Sequence, residues 1–130
     1  MTTSPTTCPF CQRIQGGETL LDRDRVVAIP DASPLNPGHT LVVPRRHEPD
    51  FLALTPDELR CAFQLVGELR ALLQERYAPD GFNVGANIGA AAGQTVDHAH
   101  LHIIPRFKGD VEEPRGGLRW IIPERARYWP

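Results

Sequence analysis

Serine is nearly absent from this chain of 130 residues: Ser4 and Ser33 are the only two, and neither sits in a Gly-x-Ser-x-Gly elbow, so serine-nucleophile hydrolysis has no motif here. Cysteine is scarce as well. Three thiols, an odd number, argue against a disulfide framework and for reduced cysteines or metal ligands. No stretch approaches the roughly 18 apolar residues of a membrane span. Met1 to Thr7 has neither the basic nor the apolar region of a secretory signal, so the cytoplasm is the expected compartment. Positive charge is not in excess either, with 14 Lys and Arg against 16 Asp and Glu. That balance gives no support for bulk binding to nucleic acid, though a locally basic pocket for a phosphate-bearing small molecule stays open. The Gly-Lys-Ser/Thr ending of a phosphate-binding Walker loop is missing.

What remains is an ordinary composition, 41% apolar and 23% charged, in a length suited to one domain. Residues 1–130 are read as that single domain, with 1–7 a flexible tail. Val26 to Ile29 reads as a strand, Asp31 to Gly38 as a loop, and His39 to Val43 as a second strand stopped by Pro44. The clearest helix begins at Thr55-Pro56-Asp57-Glu58, where Thr55 caps, Pro56 fits the first helical position and Glu58 completes a capping box. Leu59, Ala62, Phe63, Val66, Leu69 and Leu73 follow at helical spacing, and Ala78 to Gly81 end it. Leu65 and Leu72 widen the apolar arc to roughly 200°, beyond the usual stripe, so the helix is expected to pack on a sheet and on something else, a partner subunit being one candidate. Phe82 to Ile88 and His98 to Ile104 read as two more strands joined by the glycine-rich loop Gly89 to Gly93. The fold class is therefore α+β with a mostly antiparallel sheet and one long helix. Residues 108–130 read as an extended tail bearing an apolar patch at Trp120 to Ile122.

Three of the five histidines fall within Asp97-His98-Ala99-His100-Leu101-His102-Ile103-Ile104. Period-2 alternation puts His98, His100 and His102 on one face and Ala99, Leu101 and Ile103 on the other. The apolar face belongs in the core; the histidine face has no such use. A solvated His-rich face is the bland reading. A shared metal ion is a more serious rival, but His98 and His102 lie about 13 Å apart at strand rise. At least one imidazole should therefore stay free for chemistry, as nucleophile or as acid and base. Cys61, at the edge of the helix arc, reads better as a structural thiol. Cys8-Pro9-Phe10-Cys11 has ligand spacing for zinc, but two ligands do not complete a site; a redox pair is the alternative, though no strand precedes it.

His98-Ala-His100-Leu-His102-Ile-Ile104 resembles the His-φ-His-φ-His-φ-φ signature of the histidine-triad (HIT) family. Gly93-Gln94-Thr95-Val96 before it, Pro105-Arg106 after it, and Pro37-Gly38-His39 through Pro44-Arg45-Arg46-His47 upstream match as well. The likeness runs from Cys8 to about Arg106. It implies a HIT-like fold with a short N-terminal helical segment. It also implies a hydrolase releasing AMP from a dinucleoside polyphosphate or a nucleoside phosphoramidate. His100 would attack the α-phosphorus to form a covalent nucleotidyl-histidine, with His102 assisting the leaving group. Gln94 and Thr95 match positions that bind phosphate and leaving group, and Asn87 lines the same pocket. Gly89 and Gly93 let the backbone approach a ligand closely, although a plain hairpin turn would need them too.

Asp31 matches the acid that binds ribose hydroxyls, with an acidic turn former as the alternative, and His39 matches a histidine behind the triad. Zinc-bearing members imply a structural Cys8, Cys11, His47 and His98 set, with one ion per chain. Homodimers are frequent in the family, and the wide helix arc agrees. A purine nucleotide carrying an AMP moiety is thus the expected partner, with no nucleic acid and no membrane. A non-catalytic nucleotide-binding regulatory module and a zinc hydrolase using the histidines as catalytic ligands are the competing readings. Arg115, Arg119, Arg125 and Arg127 would suit a polyphosphate or plain solvent.

Overall fold

In the computed structural model, residues 5–130 are described; of the tail expected over 1–7, positions 1–4 lie outside them. The first regular element is a short helix, α1 (Pro9–Gln15), whose start is fixed by Cys8: its sulfur accepts the Cys11 amide, and Pro9 takes the first turn. Five strands follow in one antiparallel sheet: β1 (Leu21–Asp22), β2 (Val26–Pro30), β3 (Thr40–Pro44), β4 (Gly81–Gly85) and β5 (Leu101–Arg106). Their spatial order is β1-β2-β3-β5-β4. The long helix α2 (Pro56–Tyr77) sits between β3 and β4 in the chain.

β2 and β3 are buried on both faces, and their valines and isoleucine read as near-continuous apolar runs for that reason. Val26, Ala28, Val42, Leu101 and Ile103 face α2, where Ala62, Leu65, Leu69 and Leu73 meet them. Val27, Ile29, Leu41 and Val43 face the other way, against Cys8, Phe10 and Cys11. α1 therefore lies across the sheet from α2, on the face that carries the histidines, since Leu41 pairs with His102.

The capping box at Thr55 and Glu58 is present in both directions. α2 ends at Ala78, which adopts a left-handed cap with φ 48°. The wide apolar arc divides in two: one side is core, while Phe63 is 56% exposed.

Two strands are shorter than their sequence suggests. β4 stops at Gly85, and β5 begins only at Leu101, so His98, Ala99 and His100 precede the ladder. The reason lies outside the segment. The Ala99 N–H donates to the carbonyl of Glu48 at 2.6 Å instead of to a neighbouring strand. The Ala99–Leu101–Ile103 side still enters the core as alternation demands. The segment expected to be an extended tail is not extended throughout. It holds a 3-10 turn at Gly117–Ile121 and a short helix, α3 (Pro123–Ala126), held together by Arg119 donating to the carbonyls of Arg125 and Ala126. No helix among the described residues is long and apolar enough to cross a membrane.

Candidate active site and metal centre

The three histidines of the 98–102 segment divide between two clusters. His98 is fully buried, and its ring turns toward the N-terminal helix. Its Nε2 lies 2.7 Å from the carbonyl of Pro44. A carbonyl only accepts, so Nε2 carries the proton and Nδ1 keeps its lone pair. That lone pair lies 3.4 Å from both Cys8 Sγ and Cys11 Sγ. His47 brings Nδ1 to 3.3 Å from Cys11 Sγ. One donor atom from each of Cys8, Cys11, His47 and His98 falls within 4.8 Å of every other.

The geometry can be tested against a tetrahedral ion. Bonds of about 2.3 Å to sulfur and 2.0–2.1 Å to nitrogen put those atoms about 3.6 Å apart at the tetrahedral angle. The observed sulfur–nitrogen separations of 3.3–3.4 Å need only a small expansion. The donor set is two thiols and two imidazoles, which suits zinc, and the Pro44 carbonyl supplies the outer hydrogen bond that orients a ligating imidazole. Among the described residues His47 Nε2 is buried without a hydrogen-bond partner, while its ring meets the Cys11 sulfur and the His98 ring. Burial first, and then its hydrogen bond to Cys8, push the Cys11 thiol up to about 11. A bound cation reverses that logic and deprotonates the thiol. These residues fit a closed four-ligand metal centre.

His100 belongs to the second cluster. It is 8% exposed, and its Nδ1 sits 2.8 Å from the carbonyl of His98. By the same reasoning Nδ1 donates, and Nε2 is left with a lone pair. Phe10, lying between the two cysteines on α1, meets the His100 ring edge-on at 5.0 Å between centroids. The His102 ring follows at 5.2 Å.

His102 is wired from behind. The Leu35 N–H donates to His39 Nδ1 at 3.1 Å, so His39 must carry its proton on Nε2. That atom lies 2.9 Å from His102 Nδ1 and donates to it, which leaves His102 with its proton on Nε2. Asp31 Oδ2 stands 3.4 Å from His39 Nε2 and 3.9 Å from His102 Nδ1. Its other oxygen accepts the Ser33 N–H at 2.8 Å, the bond of an acidic turn former. Burial lowers the pKa of His39 and of His102 and outweighs the pull of the Asp31 carboxylate; His100 and His39 add to the effect at His102. Asp31 thus borders neutral rings. Asp31, His39 and His102 are close enough to hold an ion, but the Leu35 amide fixes a proton where a metal would bind His39. They are connected as a relay.

The loop residues behave less simply. Gln94 closes the loop with its own amide: Oε1 accepts the Gly89 N–H at 2.9 Å, and Nε2 donates to the carbonyls of Pro49 and Val96. Gly93, at φ 95°, makes the turn. Thr95 is exposed, while Asn87 is half-buried. Gln94 is therefore first a brace for the loop beside the triad. The arginines of the tail stack on aromatic rings: Arg115 over Trp129 at 4.7 Å, Arg119 over Tyr128 at 4.9 Å, and Arg127 over Trp129 at 5.5 Å. Two contributors escaped the sequence reading. Phe10 had a visible signal, being apolar and fixed between two ligands; the Leu35 amide, a main-chain group, had none.

The sequence profile described as the HIT domain matches residues 15–109. A HIT-like protein of Saccharolobus solfataricus is 39% identical over 81% of this chain and 78% of its own. An asymmetrical bis(5'-nucleosyl)-tetraphosphatase of Schizosaccharomyces pombe is 41% identical over 66% of this chain and 47% of its own. The crystal structure of a Zn-bound histidine triad family protein from Mycobacterium smegmatis superposes with a TM-score of 0.75 at 32% identity, covering 82% of this chain and 80% of that one.

Proposed function

The chain belongs to the HIT domain family, and from that premise we propose that it hydrolyses a nucleotide through a covalent nucleotidyl-histidine at His100. The observation that carries the reading is the fixed proton pattern of the two histidines. His100 donates Nδ1–H to the His98 carbonyl and so presents the Nε2 lone pair. His102 accepts at Nδ1 and so presents an Nε2–H.

In the first step the Nε2 lone pair of His100 forms a bond to the α-phosphorus. The bond from phosphorus to the leaving atom breaks, its electron pair stays with that atom, and the Nε2–H of His102 donates a hydrogen bond to it. In the second step water adds hydroxide to phosphorus, the P–N bond to His100 breaks with its pair returning to Nε2, and the second proton of water goes to the leaving atom. The products are AMP and the protonated leaving group. Asp31 accepts from the ribose hydroxyls. Gly93, Gln94, Thr95 and Asn87 form the phosphate side of the pocket, Gln94 by holding the loop in shape. A relative bearing the name of a bis(5'-nucleosyl)-tetraphosphatase supports a nucleotide substrate.

Cys8, Cys11, His47 and His98 hold one zinc ion, which supplies a structural crosslink. The donor geometry and the Zn-bound structural relative support this. Paired free thiols suit a reducing compartment, the cytoplasm. The outward side of α2 and the edge strand β4 suit a homodimer contact.

The decisive experiment is a rapid quench with nucleotide labelled at the α-phosphorus. Label is expected on His100 in the first turnovers, and His100→Ala should retain none of the turnover. Nucleotide binding without label at any time would favour a binding module instead.

A further inference from the structure

The segment that carries His100 and the loop closed by Gln94 are held from behind by one turn, which leaves β3 at Pro44 and runs to Asp50. Three of its carbonyls accept in order. That of Pro44 takes the Nε2–H of His98 at 2.7 Å, and that of Glu48 takes the Ala99 N–H at 2.6 Å. The carbonyl of Pro49 takes the side-chain amide of Gln94, also at 2.7 Å. The sheet cannot supply this support, because β3 and β5 pair only from Val42 opposite Leu101 onward. Ala99 lies between His98 and His100, so its amide is the point at which the metal centre and the nucleophile part.

The carbonyls of Glu48 and Pro49 flank a single proline ring. Pro49 fixes its own φ and confines Glu48 to extended backbone, so the two acceptors move as a unit. The Glu48 side chain holds that unit from both ends. Its Oε2 accepts the Asp50 N–H at 3.1 Å, and its Oε1 accepts from the Arg46 guanidinium at 3.3 Å. Both neighbours are themselves anchored. Asp50 accepts the Leu52 N–H at 2.9 Å and opens the 3-10 turn that buries Phe51, while Arg46 is bound to Glu58 at the head of α2. A solvated turn acid would point outward. Glu48, with 23% of its side chain exposed, turns both oxygens onto the chain around Pro49.

We infer that Glu48 is a positioning residue for the nucleophile. It keeps two consecutive carbonyls aimed at the Ala99 amide and at Gln94, and so aligns His100 with the loop at 89–95. The inference rests on the proposed chemistry at His100 and adds a residue that touches neither the substrate nor the metal. A displacement of about 1 Å at a reacting group is enough to cost about a hundredfold in rate.

The test compares Glu48→Ala and Glu48→Gln with wild type, using adenosine 5'-phosphoramidate labelled at phosphorus. In Glu48→Ala the rate of label transfer to His100 and kcat should both fall about tenfold, with KM within about twofold. Glu48→Gln keeps an oxygen for the Asp50 N–H and should return to within about threefold of wild type. Zinc content should match wild type in both variants. Native-state hydrogen exchange adds a readout independent of turnover. The Ala99 amide should exchange about tenfold faster in Glu48→Ala, with the Leu65 and Leu69 amides of α2 unchanged.

Labelling at the wild-type rate in Glu48→Ala, or a Glu48→Gln protein as slow as Glu48→Ala, overturns the assignment. So does slow labelling accompanied by loss of zinc or by faster exchange throughout α2, since the effect would then lie in metal retention or global stability. A wild-type protein that takes no label removes the chemistry at His100, and the exchange of the Ala99 amide then decides alone whether Glu48 holds the segment.

Discussion

The carbonyl of His98 accepts the Nδ1–H of His100 at 2.8 Å, while the ring of the same His98 points its Nδ1 at Cys8 and Cys11, each 3.4 Å away. One residue therefore belongs to both clusters, through its main chain to one and its side chain to the other. Phe10 forms a second link, in edge-on contact with both His98 and His100. The alignment of His100 depends on the anchoring of α1.

Cys11→Ser should lower zinc content from one ion per chain to none, as measured by atomic emission on protein purified without chelators. The melting temperature should fall by about 10 °C, since metal binding free energy is folding free energy. Equal metal content in the variant would remove the metal centre from this account.

Glu58 serves two partners. Its carboxylate accepts from Arg46 at 2.9 and 3.1 Å and from the Thr55 N–H at 2.8 Å, joining the turn that carries His47 to the start of α2. Arg46 is half exposed, so screening weakens its share. Glu58→Ala should cost about 2 kcal/mol in urea unfolding, most of it from the cap. The Arg46 guanidinium beside Glu58 holds its carboxyl at about 2, below its ordinary 4.5. The folded form then binds fewer protons, so the stabilisation is present above pH 4.5 and is lost as pH falls toward 2. Glu58→Gln should remove that part of the acid transition, and an unchanged acid midpoint would contradict the assignment.

His39 and His102 have pKa values lowered from 6.5, chiefly by burial. The unfolded chain binds more protons there than the folded one, so stability rises with pH through this range. Wild-type protein should keep full stability above pH 6.5 and lose it as pH falls below that value. In His39→Gln the dependence should be shallower. A variant as steep as wild type in denaturation at pH 5.5 and 7.5 would count against burial as the cause. On turnover, His39→Gln should lower kcat about tenfold to a hundredfold with a smaller change in KM, because His102 loses the bond that fixes its proton.

Phe63, 56% exposed on α2, meets the buried Phe51 ring edge-on and leaves the rest of its surface outside the core. If it lies in a subunit contact, Phe63→Glu should shift sedimentation from dimer to monomer at micromolar concentration, raising the dissociation constant at least about a hundredfold. Wild-type protein that sediments as a monomer would exclude the dimer.

What could be read from the sequence follows the range of the interactions. The start of α2 is local, set by Thr55, Pro56 and Glu58 within four positions, and it stands as expected. The apolar side of the histidine segment obeys period two, although pairing begins only at Leu101, because the Glu48 carbonyl takes the Ala99 amide. That competitor lies 51 positions away and has no signature in the motif. The folding of the tail escaped notice for a similar reason: Arg119 donates to main-chain carbonyls of Arg125 and Ala126, and no periodicity announces such bonds. The grip of Arg46 on Glu58 crosses from turn to helix and was equally hidden.

The proton on His102 is placed, in the end, by the peptide group of Leu35 acting through His39. A peptide N–H is present whatever side chain the position bears, proline excepted. Residue 35 is thus free to drift in size and polarity without disturbing the tautomer, and one exchange alone, Leu35→Pro, abolishes the donor outright. The acid–base setting of the triad is inherited with the backbone.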